Sequence, residues 1–114
     1  MKKEQRSVSR IPVSWPLKML RADKKYVEGT IRNISTQGLN VDMKSNLLQE
    51  NESVMIETSF FFKNEQHKIR AITKVVFKTI QSGGTGYNLG FKVVEMKESD
   101  QVILGKYINY KLSL

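Results

Sequence analysis

From residue 26 onward, apolar and polar residues alternate along much of the chain with a period of two, the period of a strand with one buried face. In the segment 26–31, Val27, Gly29 and Ile31 share one face, and Glu28, Thr30 and Arg32 share the other. Leu39, Val41 and Met43 alternate with Asn40 and Asp42, and Val54, Ile56, Thr58, Phe60 and Phe62 alternate with Met55, Glu57 and Ser59. The longest run places Ile69, Ala71, Thr73, Val75 and Phe77 on the inner face and Lys68, Arg70, Lys74 and Lys78 on the outer. The last puts Tyr87, Leu89, Phe91 and Val93 inward and Asn88, Gly90 and Lys92 outward. Pro12 and Pro16 bracket the start of a first strand, a position that tolerates proline.

The breaks between these runs are turn-like. Asp23 lies in 22–25, two asparagines in the polar stretch 44–53, Asn64 in 63–66, and three glycines in 82–86. About six strands at this spacing predict an all-β fold, an antiparallel barrel or sandwich. At Ser99 the period changes. Ser99 is placed as an N-cap and Asp100 suits the positive end of a helix dipole. Val102, Ile103, Tyr107 and Tyr110 then fall at helical spacing, with Leu104 and Ile108 widening the stripe, which predicts a helix over about 99–110. Its apolar surface either covers the barrel or meets a partner; a barrel end needs closing, which favours the first.

The first ten residues are polar and basic, with Lys2, Lys3, Arg6 and Arg10 against Glu4 alone. Such a stretch cannot bury enough apolar surface to order itself, so 1–12 is expected to be a flexible arm and 13–114 the folded domain. With 114 residues the chain is one ordinary domain. The start has a positive flank without an apolar core behind it, and no apolar run approaches a bilayer span, so a cytoplasmic protein without membrane insertion is expected. There is no cysteine, which excludes disulfides, thiolate nucleophiles and cysteine metal sites. A formal net charge of +8 favours anionic partners.

Two short motifs carry candidate chemistry. Arg6 and Arg10, four apart on the arm, can close over an anion from two sides, each with a planar fork of donors matched to phosphate oxygens or to a guanine edge. The other motif, in 33–38, offers the carboxamide of Asn33 to read a base edge and the hydroxyl of Ser35 to reach a phosphate or cap the turn. It also has Gly38, which permits positive φ and close backbone approach to a ligand. Each has a plain reading too: a solvated basic tail, and a turn built from the usual turn formers.

Taken together and in this order, Arg6-x-x-x-Arg10 and Asn33-x-Ser35-x-x-Gly38 resemble the paired signature of PilZ domains, bacterial receptors for cyclic di-GMP. The likeness extends over nearly the whole chain, including the strand 89–93 and the closing helix. It implies a six-stranded antiparallel split barrel with a C-terminal helix, no enzymatic activity, cyclic di-GMP as ligand, no cofactor or metal, and a downstream protein partner. It also implies that Arg6 and Arg10 grip phosphates and guanine edges, that Asn33 bonds a guanine edge, and that Ser35 and Gly38 shape the turn beneath the ligand. Asn40 and Gly90, outward on neighbouring strands, are weaker candidates for the ligand-facing wall. Many members have one further arginine where this chain has Gln5, which leaves one or two bound ligands open.

The residues give less support to other function classes. The single histidine, His67, sits among Gln66 and Lys68 as a surface residue rather than a base, and Glu50 and Glu52 read as a solvated turn. A small basic barrel can bind single-stranded nucleic acid by stacking bases on aromatics, here Phe60, Phe61 and Phe62, but alternation leaves only Phe61 outward. An adaptor that has lost its ligand is a third reading, against which both motifs are intact. Trp15 is placed under the arm or on a barrel end.

Overall fold

In the computed structural model, which describes residues 10–114, the alternating runs become six antiparallel strands. These are β1 (Ile11–Leu20), β2 (Tyr26–Ile34), β3 (Gly38–Met43), β4 (Ser53–Phe62), β5 (Glu65–Ile80) and β6 (Tyr87–Met96), followed by helix α1 (Glu98–Leu112). They close in the order β1-β2-β3-β6-β5-β4. Alternation sends one side of every strand into the lumen: Leu17 and Met19, Val27 and Ile31, Leu39 and Val41, Val54 and Ile56, Ile69 and Val75, Leu89 and Phe91 are all buried there. Lys63 and Asn64 both take positive φ in the two-residue connection from β4 to β5, the geometry whose twist suits a tight hairpin. Gly83 and Gly84 do the same between β5 and β6, where a side chain would be strained.

Both ends of the barrel are stoppered. At one end Trp15, Phe60, Phe62 and Tyr107 form an aromatic cluster, with Trp15 stacked on Phe60 at 4.4 Å between ring centroids and Tyr107 set edge-on at 5.2 Å to both. The helix supplies Leu104, Tyr107 and Ile108 to this lid, so its apolar stripe covers the barrel, and Trp15 belongs to the barrel end. At the other end Leu48, from the loop after β3, is fully buried. Burial of each such large side chain contributes about 1.5–3 kcal/mol.

Four expectations need correction. The helix begins at Glu98 with Lys97 as N-cap and no side-chain cap, not at Ser99; Asp100 instead accepts the backbone N–H of Arg70 at 3.2 Å, tying the helix start to β5. Phe77 does not line the lumen. A β-bulge between Val75 and Phe77 inserts Val76, so Val76 and Phe77 both lie on the exterior. The same slip takes Lys78 off the outer face: half-buried, it donates to the carbonyls of Leu48 (2.9 Å) and Asn46 (3.3 Å) and to the Asn46 side chain, and caps the Tyr87 ring. β1 begins at Ile11, inside the span expected for the arm.

Candidate functional site

The two motifs meet on the barrel exterior. β2 carries a bulge between Ile31 and Asn33 that makes Arg32 the extra residue. Strict alternation from Ile31 would turn Asn33 inward and Ile34 outward. With the bulge, Ile34 is buried and the side chain of Asn33 reaches the surface, where its Oδ1 accepts a hydrogen bond from Arg10 Nη1 at 2.8 Å. Arg10 and Asn33, 23 residues apart in sequence, thereby become one unit. Arg6 and Gln5 lie outside the described residues.

Ser35 and Gly38 build the turn between β2 and β3. Ser35 is 2 % exposed, and its hydroxyl is engaged inside the turn: Oγ accepts the backbone N–H groups of Gln37 and Gly38, both at 3.2 Å, and donates to the Gly38 carbonyl at 3.3 Å. The Ser35 N–H closes the turn on the same carbonyl at 2.9 Å. Of the two roles open to this hydroxyl, the structure has it capping the turn. Gly38 is not a positive-φ glycine; among the described residues only Gly83 and Gly84 are. A Cβ at Gly38 would lie 2.5 Å from the carbonyl oxygen of Phe91, so the position is glycine because β6 passes too close for a side chain. The close approach anticipated for a ligand is made by the protein's own backbone.

Lateral register extends the site across the barrel. Pro12 on β1 is opposite Asn33 on β2, Asn33 opposite Asn40 on β3, Asn40 opposite Gly90 on β6, and Gly90 opposite Phe77 on β5. Asn40 is held by reciprocal amide bonds with Asn88, at 2.9 and 2.8 Å. Asn88 Nδ2 also donates to Asp42 Oδ1 at 2.8 Å, and Asp42 Oδ2 pairs with Arg32 Nε at 3.1 Å. Gly90 is buried: a Cβ there would run into the Phe77 ring, which lies over it and stays 38 % exposed. The wall foreseen at Gly90 is therefore the face of Phe77, seated where a side chain on β6 would otherwise stand.

Beside this row a cleft of about 600 Å³ opens over the turn, lined by Arg10, residues 35–38, Val76, Phe91, Lys92 and Val93. Among the described residues, two cations reach it and no carboxylate lines it. Arg10 lines the cleft and is bonded to the Asn33 carboxamide at the head of the adjoining row, which ends at the exposed Phe77 ring; cleft and row together offer groups that can hold a phosphate and a planar base.

Phe77, Val76, Lys92 and Asn88 escaped the sequence reading as site residues. The signal for Phe77 was present, because Val75, Val76 and Phe77 are three successive apolar residues in a strand that otherwise alternates, and such a break marks a bulge. The aromatic platform considered for nucleic acid is not assembled: Phe60 and Phe62 are in the core, and Phe61 stands alone, 71 % exposed. His67 is half-buried against the rings of Phe60 and Phe62.

Comparison with known proteins agrees with the fold. The inhibitor of motility MotI/DgrA from Bacillus subtilis superposes with a TM-score of 0.83 at 17 % identity, over 99 % of this chain and 53 % of that one, so this chain spans about half the length of that protein. The PilZ domain of YcgR from Escherichia coli, solved with c-di-GMP, superposes at 0.71 with 16 % identity, over 94 % of this chain and 91 % of that one. The MrkH–c-di-GMP complex from K. pneumonia gives 0.62 at 13 % identity, over 100 % and 57 %. These likenesses concern the fold. The comparison with curated proteins finds no match. The sequence model of the PilZ domain matches residues 4–110, a span that takes in both motifs, all six strands and most of the helix, and on that ground the chain belongs to the PilZ domain family.

Proposed function

We propose that this chain is a receptor for cyclic di-GMP that acts by binding rather than by catalysis, and that signals to a protein partner through the change binding produces. The observation that carries the reading is the Arg10–Asn33 hydrogen bond, which joins the two motifs at the head of a register row ending in an exposed aromatic ring. Two structural relatives, YcgR and MrkH, were solved with this dinucleotide.

In this reading Arg10 turns from Asn33 to a phosphate, leaving the Asn33 carboxamide to a guanine edge. Arg6, on the arm expected ahead of β1, closes from the opposite side. Ser35 and Gly38 act through the turn they build rather than by touching the ligand. Asn40, fixed by Asn88, forms the floor, and Phe77 offers its ring to a base. Fixing each residue of an arm costs about 1–2 kcal/mol, which arginine–phosphate bonds must offset. An arm closed over the cleft changes the charge and shape of that barrel face, and this is what a partner would read. In this reading the protein works in the cytoplasm, where a nucleotide messenger is met. Among the described residues no helix is long and apolar enough to cross a membrane.

The test is isothermal titration of cyclic di-GMP into the protein and into Arg10→Ala. Saturable binding lost in the variant is expected, with the stoichiometry deciding between one ligand and two where Gln5 stands. No heat and no shift in melting temperature would refute the reading.

A further inference from the structure

Across the barrel exterior, cations face carboxylates. Lys18 on β1 lies between Glu28 on β2 and Glu57 on β4. Arg70 on β5 is opposite Glu57, which also pairs with Lys68 at 3.1 Å. Arg32 pairs with Asp42, and Arg21 with Glu52. One row departs from this arrangement: Gly38 on β3, Lys92 on β6, Lys74 on β5 and Ser53 on β4 stand in lateral register, so that two exposed lysines are direct cross-strand neighbours. Neither makes an ion pair among the described residues. Asn40, Gly90, Ile72 and Met55 beside them carry no charge, and the carboxylate next along the β5–β6 ladder, Glu95, stands opposite Ile72 rather than opposite a lysine. Like charges directly opposite across a sheet destabilise it, and this pair does so next to the turn of the candidate site.

The cleft supplies the second observation. Lys92 lines it from the β6 side and Arg10 from the side where β1 begins, with the apolar Val76 in the same wall. An anion in the cleft would meet cations on both flanks and relieve the repulsion between the lysines. We infer that Lys92, which lines the cleft on the side away from Arg10, and Lys74, its cross-strand neighbour outside the lining, form a second phosphodiester contact of the dinucleotide site. The inference rests on the receptor reading and deepens it: a cyclic dinucleotide carries two phosphodiesters, of which Arg10 takes one and the lysine pair the other.

The experiment is titration of cyclic di-GMP into wild type, Lys92→Gln, Lys74→Gln/Lys92→Gln and Lys106→Gln, each at two salt concentrations. Lys106, exposed on α1, removes the same charge elsewhere. Exposed charge-assisted contacts predict an affinity about threefold weaker for the single variant and on the order of tenfold weaker for the double, with a shallower salt dependence, while Lys106→Gln follows wild type. Urea denaturation of the double variant should show stability equal to or above wild type, because a repulsion has been removed; a weakened affinity is then not a folding defect. Affinity of the double variant within twofold of wild type, or a loss matched by Lys106→Gln, overturns the inference and leaves the receptor reading standing. No binding to wild type overturns both.

Discussion

Replacing Gly38 by alanine separates two physical causes for a glycine at that position. If the backbone needed positive φ, asparagine, which tolerates that region, would be a milder replacement than alanine. The structure gives a different cause. The added Cβ would sit 2.5 Å from the Phe91 carbonyl oxygen, whereas ordinary van der Waals contact starts at 3.4 Å, so β3 and β6 must part by nearly 1 Å. The obstacle is backbone, which no rotamer change can move aside. Parting the strands strains the first pair of the β3–β6 ladder, Gly38 with Lys92, and disturbs the Ser35 hydroxyl, which is bonded to both the N–H and the carbonyl of Gly38. Overpacking of this kind costs about 1–3 kcal/mol. At roughly 4 °C per kcal/mol for a domain of this size, Gly38→Ala should melt about 4–12 °C below wild type. Gly38→Asn should be at least as damaging. Thermal and urea unfolding followed by circular dichroism are the assays. A variant Gly38→Asn markedly more stable than Gly38→Ala, or an alanine variant as stable as wild type, would refute the steric account.

Ser35→Ala strands two N–H groups in a buried turn and should cost about 1–3 kcal/mol in urea unfolding, with ligand affinity falling alongside. Phe77→Leu keeps Gly90 covered but removes the aromatic face, so titration calorimetry should show cyclic di-GMP binding weaker by about 1–3 kcal/mol, with the urea midpoint little changed. Burial raises the Tyr107 phenol above 10.0. Its contribution to stability is present below about pH 10 and is lost as pH rises through the raised value, because the unfolded phenol ionises first. Wild type should therefore lose stability more steeply than Tyr107→Phe in urea titrations above pH 10.

How much the sequence disclosed depended on parity. Wherever alternation ran unbroken, as from Val54 to Phe62 and from Ile69 to Val75, inner and outer faces were legible residue by residue. Bulges defeated it. One extra residue flips every side chain that follows, so Phe77 and Lys78 were assigned to faces they do not occupy, and the same device at Arg32 is what brings Asn33 to the surface. The pairing of Asn40 with Gly90 and the partnership of Asn40 with Asn88 depend on register between strands distant in sequence, which no single-strand pattern encodes. The motif residues were legible as a set, but the work of Ser35 and Gly38 was not: a capping hydroxyl and a near-clash with β6 show only once the turn is folded.

The barrel is closed unevenly around its circumference. β4 and β5 stay paired from Ser53 and Lys74 to Phe62 and Glu65, whereas β1 meets β4 only from Leu17 to Leu20. The first half of β1 is thus an edge, ladder-bonded on its β2 side alone. Exposed edges invite strands from other chains and are a route to aggregation. Here Pro12 and Pro16 remove two donors from that half-strand, a bulge between Pro12 and Trp15 breaks its regularity, and the Thr58 hydroxyl takes the Pro16 carbonyl at 2.7 Å. The segment that leads Arg10 to the site is thereby left unpaired on one side without becoming a template for misassembly.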